Sequence, residues 1–173
     1  MPTITVCPLN QIHDFIESQQ PSRLISLLDP ASMIETPSAI GADRHLKLSV
    51  NDIPSPSPGL VAPGVSHVRA LLDFVTNWDV ERPLLIHCWA GVSRSTASAL
   101  ISACALNPDT SEAVIVQRIR ALSPTATPNI ALTAYADDML DRGGRMVDAV
   151  RAIGQGADCF EGVPFTIPAF WHA

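Results

Sequence analysis

Apolar and polar positions along the chain follow two rhythms. Short runs rich in leucine and β-branched residues, bounded by turn formers, lie at 3–9 (TITVCPL), 23–29 (RLISLLD), 44–50 (RHLKLSV) and 83–88 (PLLIHC), and they predict strands. Segments with helical spacing alternate with them. In 9–18, Leu9, Ile12 and Ile16 share a face, and in 65–78 Val65, Val68, Leu72 and Val75 do the same, with Leu71 and Trp78 on the flank. After residue 94 the strand rhythm stops. Residues 94–106, 109–122, 128–140 and 142–153 read as four successive helices, with Asp109, Thr110 or Ser111 as N-cap candidates and Pro108, Pro124 and Pro128 as punctuation.

Strands alternating with helices and then helices alone predict an α/β fold. We expect a central sheet of about four to five mainly parallel strands flanked by helices, with a helical C-terminal half. Residues 1–154 form one domain in this reading, and 155–173 an irregular C-terminal tail that drapes over the domain or pairs with a neighbour. The stretch 51–64 (NDIPSPSPGLVAPG) carries four prolines but sits inside the α/β pattern, which predicts a stiff loop over the sheet edge rather than a linker.

Composition narrows the function classes. With 173 residues, 47% of them hydrophobic and 16% charged, the chain can bury one sizeable core. A net charge of −6, with Lys47 the only lysine, argues against nucleic acid or an anionic membrane as partner, while leaving room for a small cationic site. No stretch is long and apolar enough to span a bilayer, and the N-terminus lacks a leader pattern, so the expected location is cytoplasmic. Cys7, Cys88, Cys104 and Cys159 are widely spaced, and His13, His45, His67, His87 and His172 are scattered, so neither a disulfide framework nor a metal site is expected and no cofactor is implied.

One stretch concentrates chemistry: LLIHCWAGVSRST, 84–96. If a strand ends at Cys88 and a helix starts at Arg94, the five residues between must turn with their amides inward, which makes an anion nest at a helix N-terminus. Gly91 gives the curl its backbone freedom, and Ala90, Val92 and Ser93 are small enough to close it. Arg94 can grip two oxygens of a tetrahedral anion, as a lysine cannot. The predicted binding surface is therefore Trp89, Ala90, Gly91, Val92, Ser93 and Arg94, with Trp89 either a wall for an aromatic leaving group or buried packing. At its floor, Cys88 faces the helix dipole and the guanidinium, an environment that favours the thiolate. It can then attack phosphorus in line and form a cysteinyl-phosphate that water hydrolyses. Ser95 is placed to hydrogen-bond the sulfur as leaving group, and His87 to orient the loop rather than to act as a base.

The stretch HCWAGVSRS resembles the His-Cys-x-x-Gly-x-x-Arg-Ser/Thr signature of the cysteine-dependent protein tyrosine phosphatases, and its Gly-x-Ser-Arg-Ser ending looks most like the dual-specificity branch. The resemblance covers about residues 3–140. It implies a general acid on a loop before the cysteine, where Asn51-Asp52 offers Asp52, with Asp43, Asp73 and Asp79 as competitors, of which Asp73 and Asp79 fall on or at the end of the 65–78 helix. It also implies that Asn129, of the pair Pro128-Asn129, helps hold the phosphate loop. The implied activity is hydrolysis of a phosphate monoester, phosphotyrosine first and phosphoserine or phosphothreonine with it, on a phosphorylated protein or a small phosphate ester. A rhodanese-type sulfurtransferase and a phosphate-binding module without turnover are the alternatives. The loop holds none of the lysines that lipid phosphatases of this family tend to carry, so a polyphosphorylated head group is not expected. Oligomeric state is not legible.

Overall fold

The computed structural model describes residues 1–171; His172 and the last residue of the tail lie outside the described residues. Strands β1 (Thr3–Pro8), β2 (Arg23–Leu28), β3 (His45–Ser49) and β4 (Leu84–Cys88) are the four apolar runs read from the sequence, and all pair in parallel. A fifth strand, β5 (Phe165–Pro168), adds antiparallel to β1, giving the sheet order β3-β2-β4-β1-β5. The helices are α1 (Ile12–Gln19), α2 (Val65–Thr76), α3 (Arg94–Leu106), α4 (Glu112–Leu122), α5 (Ile130–Met139) and α6 (Arg145–Ile153). A mixed sheet of mainly parallel strands with a helical C-terminal half is thus the fold that the alternation of rhythms predicts. Among the described residues no helix is long and apolar enough to cross a membrane.

The period-two alternation of the strands sorts the side chains into two cores. Ile4, Val6, Ile25, Leu27, Leu84, Ile86 and Cys88 face the large helical layer, whereas Cys7, Leu24 and Leu85 face the smaller layer made by Ile12, Ile16 and Ile40. Because β1 to β4 are parallel, their carboxyl ends share one edge of the sheet, where sites of α/β proteins gather. Cys88 ends the central strand, with Asp29 and Asp52 following β2 and β3 at the same edge.

The expected irregular tail needs correction. Residues 155–163 have no regular structure, but Phe165 and Ile167 turn inward at 5% and 1% exposure while Thr166 faces outward. Only three alternating residues between two prolines made this strand too short to read, and an edge position tolerates the proline that closes it. The tail therefore pairs with the chain's own sheet, extended by the Ala169 amide donating to Pro2 O at 3.0 Å. The proline-rich stretch is a loop closed at its neck by Asn51, whose amide donates to Val61 O while its side-chain oxygen accepts from Val61 N, both at 2.8 Å.

Candidate active site

The loop from Cys88 to Arg94 is shaped by what surrounds it. Trp89 O accepts from Leu9 N at 3.0 Å, Ala90 O from Gly162 N at 2.8 Å, Val92 O from Thr127 N at 2.9 Å, and Ser93 O from Asn129 N at 3.2 Å. Every one of these carbonyls is pulled outward, so the peptide planes turn their amides toward the centre. Among the described residues no amide from Ala90 to Ser93 finds an acceptor within the protein. Such a ring of free N–H groups at the start of α3 is an anion nest. Gly91 is required twice over: its φ is +70°, and a Cβ there would sit 2.9 Å from Pro8 N.

Arg94 is 4% exposed and lines the same cavity as Cys88. Its Nη1 donates to Asp29 Oδ1 at 3.0 Å and to Val50 O at 2.8 Å, while the buried Nε has no partner among the described residues. A buried donor without an acceptor costs about 1–3 kcal/mol. The nest and this orphaned N–H point to the same kind of ligand, an oxyanion.

Cys88 is 2% exposed, and its Sγ lies 3.1 Å from Ser95 Oγ at the floor of a cavity of about 500 Å³. Asp52 lines the same cavity, its Oδ1 accepting from Ser93 Oγ at 2.7 Å and from Asn129 Nδ2 at 2.9 Å. Asn129 does several things at once: its Oδ1 accepts from the amides of Ala131 and Leu132 to cap α5, and its backbone amide donates to Ser93 O in the 88–94 loop. Of the competing carboxylates, Asp43 stands before β3, at the opposite end of the strand from Asp52.

His87 points away from Cys88, as alternation along β4 demands. Both its ring and Ser26 lie on the α1 side of the sheet, where Nε2 and Ser26 Oγ are 2.6 Å apart. Ser26 Oγ is 2.7 Å from His45 Nε2, and His45 Nδ1 is 2.9 Å from Thr36 Oγ1. Burial lowers the His87 ring to about 4, and burial followed by the Lys47 charge lowers His45 to about 4, so both are neutral near pH 7. The direction of the chain then follows. Cys88 O can only accept, so His87 Nδ1 donates to it at 3.4 Å, Ser26 donates to His87, His45 donates to Ser26, and Thr36 donates to His45. The chain anchors the backbone of the cysteine and offers it no proton acceptor.

Trp89 is 55% exposed, which excludes buried packing, and it lines the cavity. Burial pushes the other two core thiols, Cys7 and Cys104, up to about 12. The sequence reading missed three features. Asp29, which holds the guanidinium, and Cys159, which lines the cavity, come from distant segments. The third, Gly162, braces the loop from the tail, and a Cβ there would lie 2.8 Å from Gly91 O. Only Asp29 had a signal, its position just after a parallel strand.

No family model matches the sequence, and no curated protein matches it either. Solved structures do. DUSP15 superposes with a TM-score of 0.62 at 18% identity, covering 88% of this chain and 91% of that one. Human DUSP28 gives 0.60 at 13% identity over 80% and 88%, and the Cydia pomonella PTP-2 phosphatase 0.59 at 16% identity over 78% and 84%. PTPMT1 in complex with PI(5)P gives 0.55 at 13% identity over 80% and 90%. The chain therefore has the fold of the cysteine-based protein tyrosine and dual-specificity phosphatases.

Proposed function

We propose that this chain is a phosphoric monoester hydrolase that removes phosphate from phosphotyrosine, and from phosphoserine or phosphothreonine with it, in proteins, through a cysteinyl-phosphate. The observation that carries the reading is the placement of Cys88 Sγ beneath a ring of unpaired amides and the orphaned Nε of Arg94. A phosphate dianion seated there satisfies those donors and has its phosphorus above the sulfur.

In the first step the Cys88 thiolate attacks phosphorus in line. A P–S bond forms as the P–O bond to the leaving group breaks, and Asp52 gives its proton to the departing oxygen. In the second step water attacks the phosphorus, Asp52 takes a proton from it, and the P–S electron pair returns to sulfur. Ser95 Oγ, at 3.1 Å, stabilises that departing thiolate by donating to it. Arg94 and the loop amides hold the equatorial oxygens, where charge develops. His87 serves as a positioning residue. The mechanism needs a reduced thiol, which suits a cytoplasmic setting.

The fold likeness to DUSP and PTP phosphatases supports this reading over a sulfurtransferase. The direct test is hydrolysis of an aryl phosphate. Turnover abolished by vanadate, without sulfur transfer from thiosulfate to cyanide, is the expected result. Thiosulfate turnover without phosphate release would establish the sulfurtransferase, and tight phosphate binding with no turnover of either substrate would make the chain a binding module.

A further inference from the structure

Beside the catalytic cavity lies a second recess of about 320 Å³, lined by Leu9, Asn10, Trp89, Phe160 and Glu161. Its volume equals that of roughly ten liquid waters, which is room enough for a large side chain. Trp89 lines both cavities, so the recess adjoins the nest above Cys88. Phe160 is 88% exposed, among the most exposed large apolar side chains of the chain. Exposure of an aromatic ring brings no folding stability, and apolar patches left open in this way mark interaction surfaces.

The surroundings of Phe160 are fixed rather than loose. Gly162 N donates to Ala90 O at 2.8 Å, and Asn10 Nδ2 donates to Glu161 Oε1 at 2.7 Å. Leu9 N donates to Trp89 O at 3.0 Å. The tail, the turn after β1 and the phosphate loop are thereby tied together, and the recess between them is presented at a set distance from Cys88. Charge narrows the occupant further. Among the described residues lining the two cavities Arg94 is the only cation, while Asp29, Asp52 and Glu161 are acidic. One phosphoryl group uses the guanidinium, and any second anion on the substrate meets carboxylates alone.

We propose that this recess is a specificity subsite for a bulky apolar side chain flanking the phosphorylated tyrosine of a protein substrate, and that Glu161 at its rim selects against acidic neighbours. The inference rests on the phosphatase reading above. Seating a leucine or phenylalanine against Phe160 and Trp89 removes apolar surface from water on both sides of the contact. The expected gain in kcat/KM is about 10- to 100-fold.

The test uses phosphotyrosine peptides identical except at the residues flanking the tyrosine, which are leucine, glycine or glutamate in turn on either side, with nitrophenyl phosphate as a control too small to reach the recess. The leucine peptide of the favoured register is expected to exceed the glycine peptide by at least about tenfold, with the glutamate peptide below both. Phe160→Ala should erase the leucine advantage and leave nitrophenyl phosphate turnover unchanged, and Glu161→Gln should relieve the glutamate penalty. Equal rates for the three peptides, or a leucine preference that survives Phe160→Ala, would overturn the subsite. So would preferred hydrolysis of a phosphatidylinositol phosphate in vesicles that depends on Phe160, since the recess would then hold an acyl chain. Failure of the phosphatase reading is separately visible as no turnover of nitrophenyl phosphate.

Discussion

Asp29 and Arg94, 65 positions apart in the chain, form an ion pair at 3.0 Å in which the arginine is buried and the carboxylate is 42% exposed. One fork of the guanidinium is thereby pinned, and Asn51 Nδ2 steadies the same Asp29 oxygen at 2.9 Å. The other donors are left to face the nest. The net contribution of a partly exposed pair to stability is small, so its consequence lies first in geometry. Asp29→Ala should lower kcat/KM by about 10- to 100-fold through misplacement of Arg94, and should also lower the unfolding midpoint, because the buried guanidinium loses its carboxylate partner. Asp29→Asn keeps an acceptor oxygen in place and should remain within a few-fold of wild type. Steady-state kinetics with both variants checks this, and an Asp29→Ala enzyme as active as wild type would mean that Val50 O alone positions the arginine.

Asp52 is tied to the 88–94 loop through Ser93 and to α5 through Asn129, which sets its carboxyl at the cavity mouth. If it protonates the leaving oxygen, the loss in Asp52→Asn depends on how much the leaving group needs a proton. Alkyl and tyrosyl phosphates should lose about 10²–10⁴-fold, and nitrophenyl phosphate far less. Rates for the two substrate types decide the matter. An equal loss on both would assign the proton to another group.

The buried histidine chain makes stability pH-dependent. His87 is held to about 4 by burial, against a usual value of about 6.5, so between those values the unfolded chain carries a proton that the folded one refuses. Unfolding then takes up a proton, and stability falls as pH drops through this window, by about 2 kcal/mol at pH 5 from His87 alone. His45 shifts in the same direction and adds to the loss. Urea midpoints measured between pH 7 and pH 5, above the main carboxylate range, should fall, and the fall should be smaller in His87→Gln. A flat profile would place a charged, solvated imidazole where the structure has a neutral one.

Much of the nucleophilic centre was readable because its parts are contiguous. His87, Cys88, Gly91, Arg94 and Ser95 lie within nine residues, and a strand ending at one and a helix beginning at another leave a single way for the turn to close. The parallel sheet was readable for the same local reason, from runs long enough to display their rhythm. Everything supplied by tertiary approach was hidden. Asp29 reads as an ordinary strand end until Arg94 meets it, and Gly162 as one of nine glycines until Ala90 O lies 2.8 Å from its amide. The tail's strand was masked by its prolines, and with it went any sign that Phe160 would stand beside Trp89.

The central claim is that phosphate passes through the sulfur of Cys88. Rapid acid quench of the enzyme during turnover of nitrophenyl phosphate, followed by peptide mass spectrometry, tests it most directly. Ser95→Ala slows the second step, in which the thiolate departs, and should therefore raise the trapped fraction. One phosphoryl group is expected on the peptide that contains Cys88, more of it in Ser95→Ala than in wild type, and none of it, with no turnover, in Cys88→Ser. Phosphate release that persists in Cys88→Ser, or a phosphoryl group found on any other residue, would contradict it.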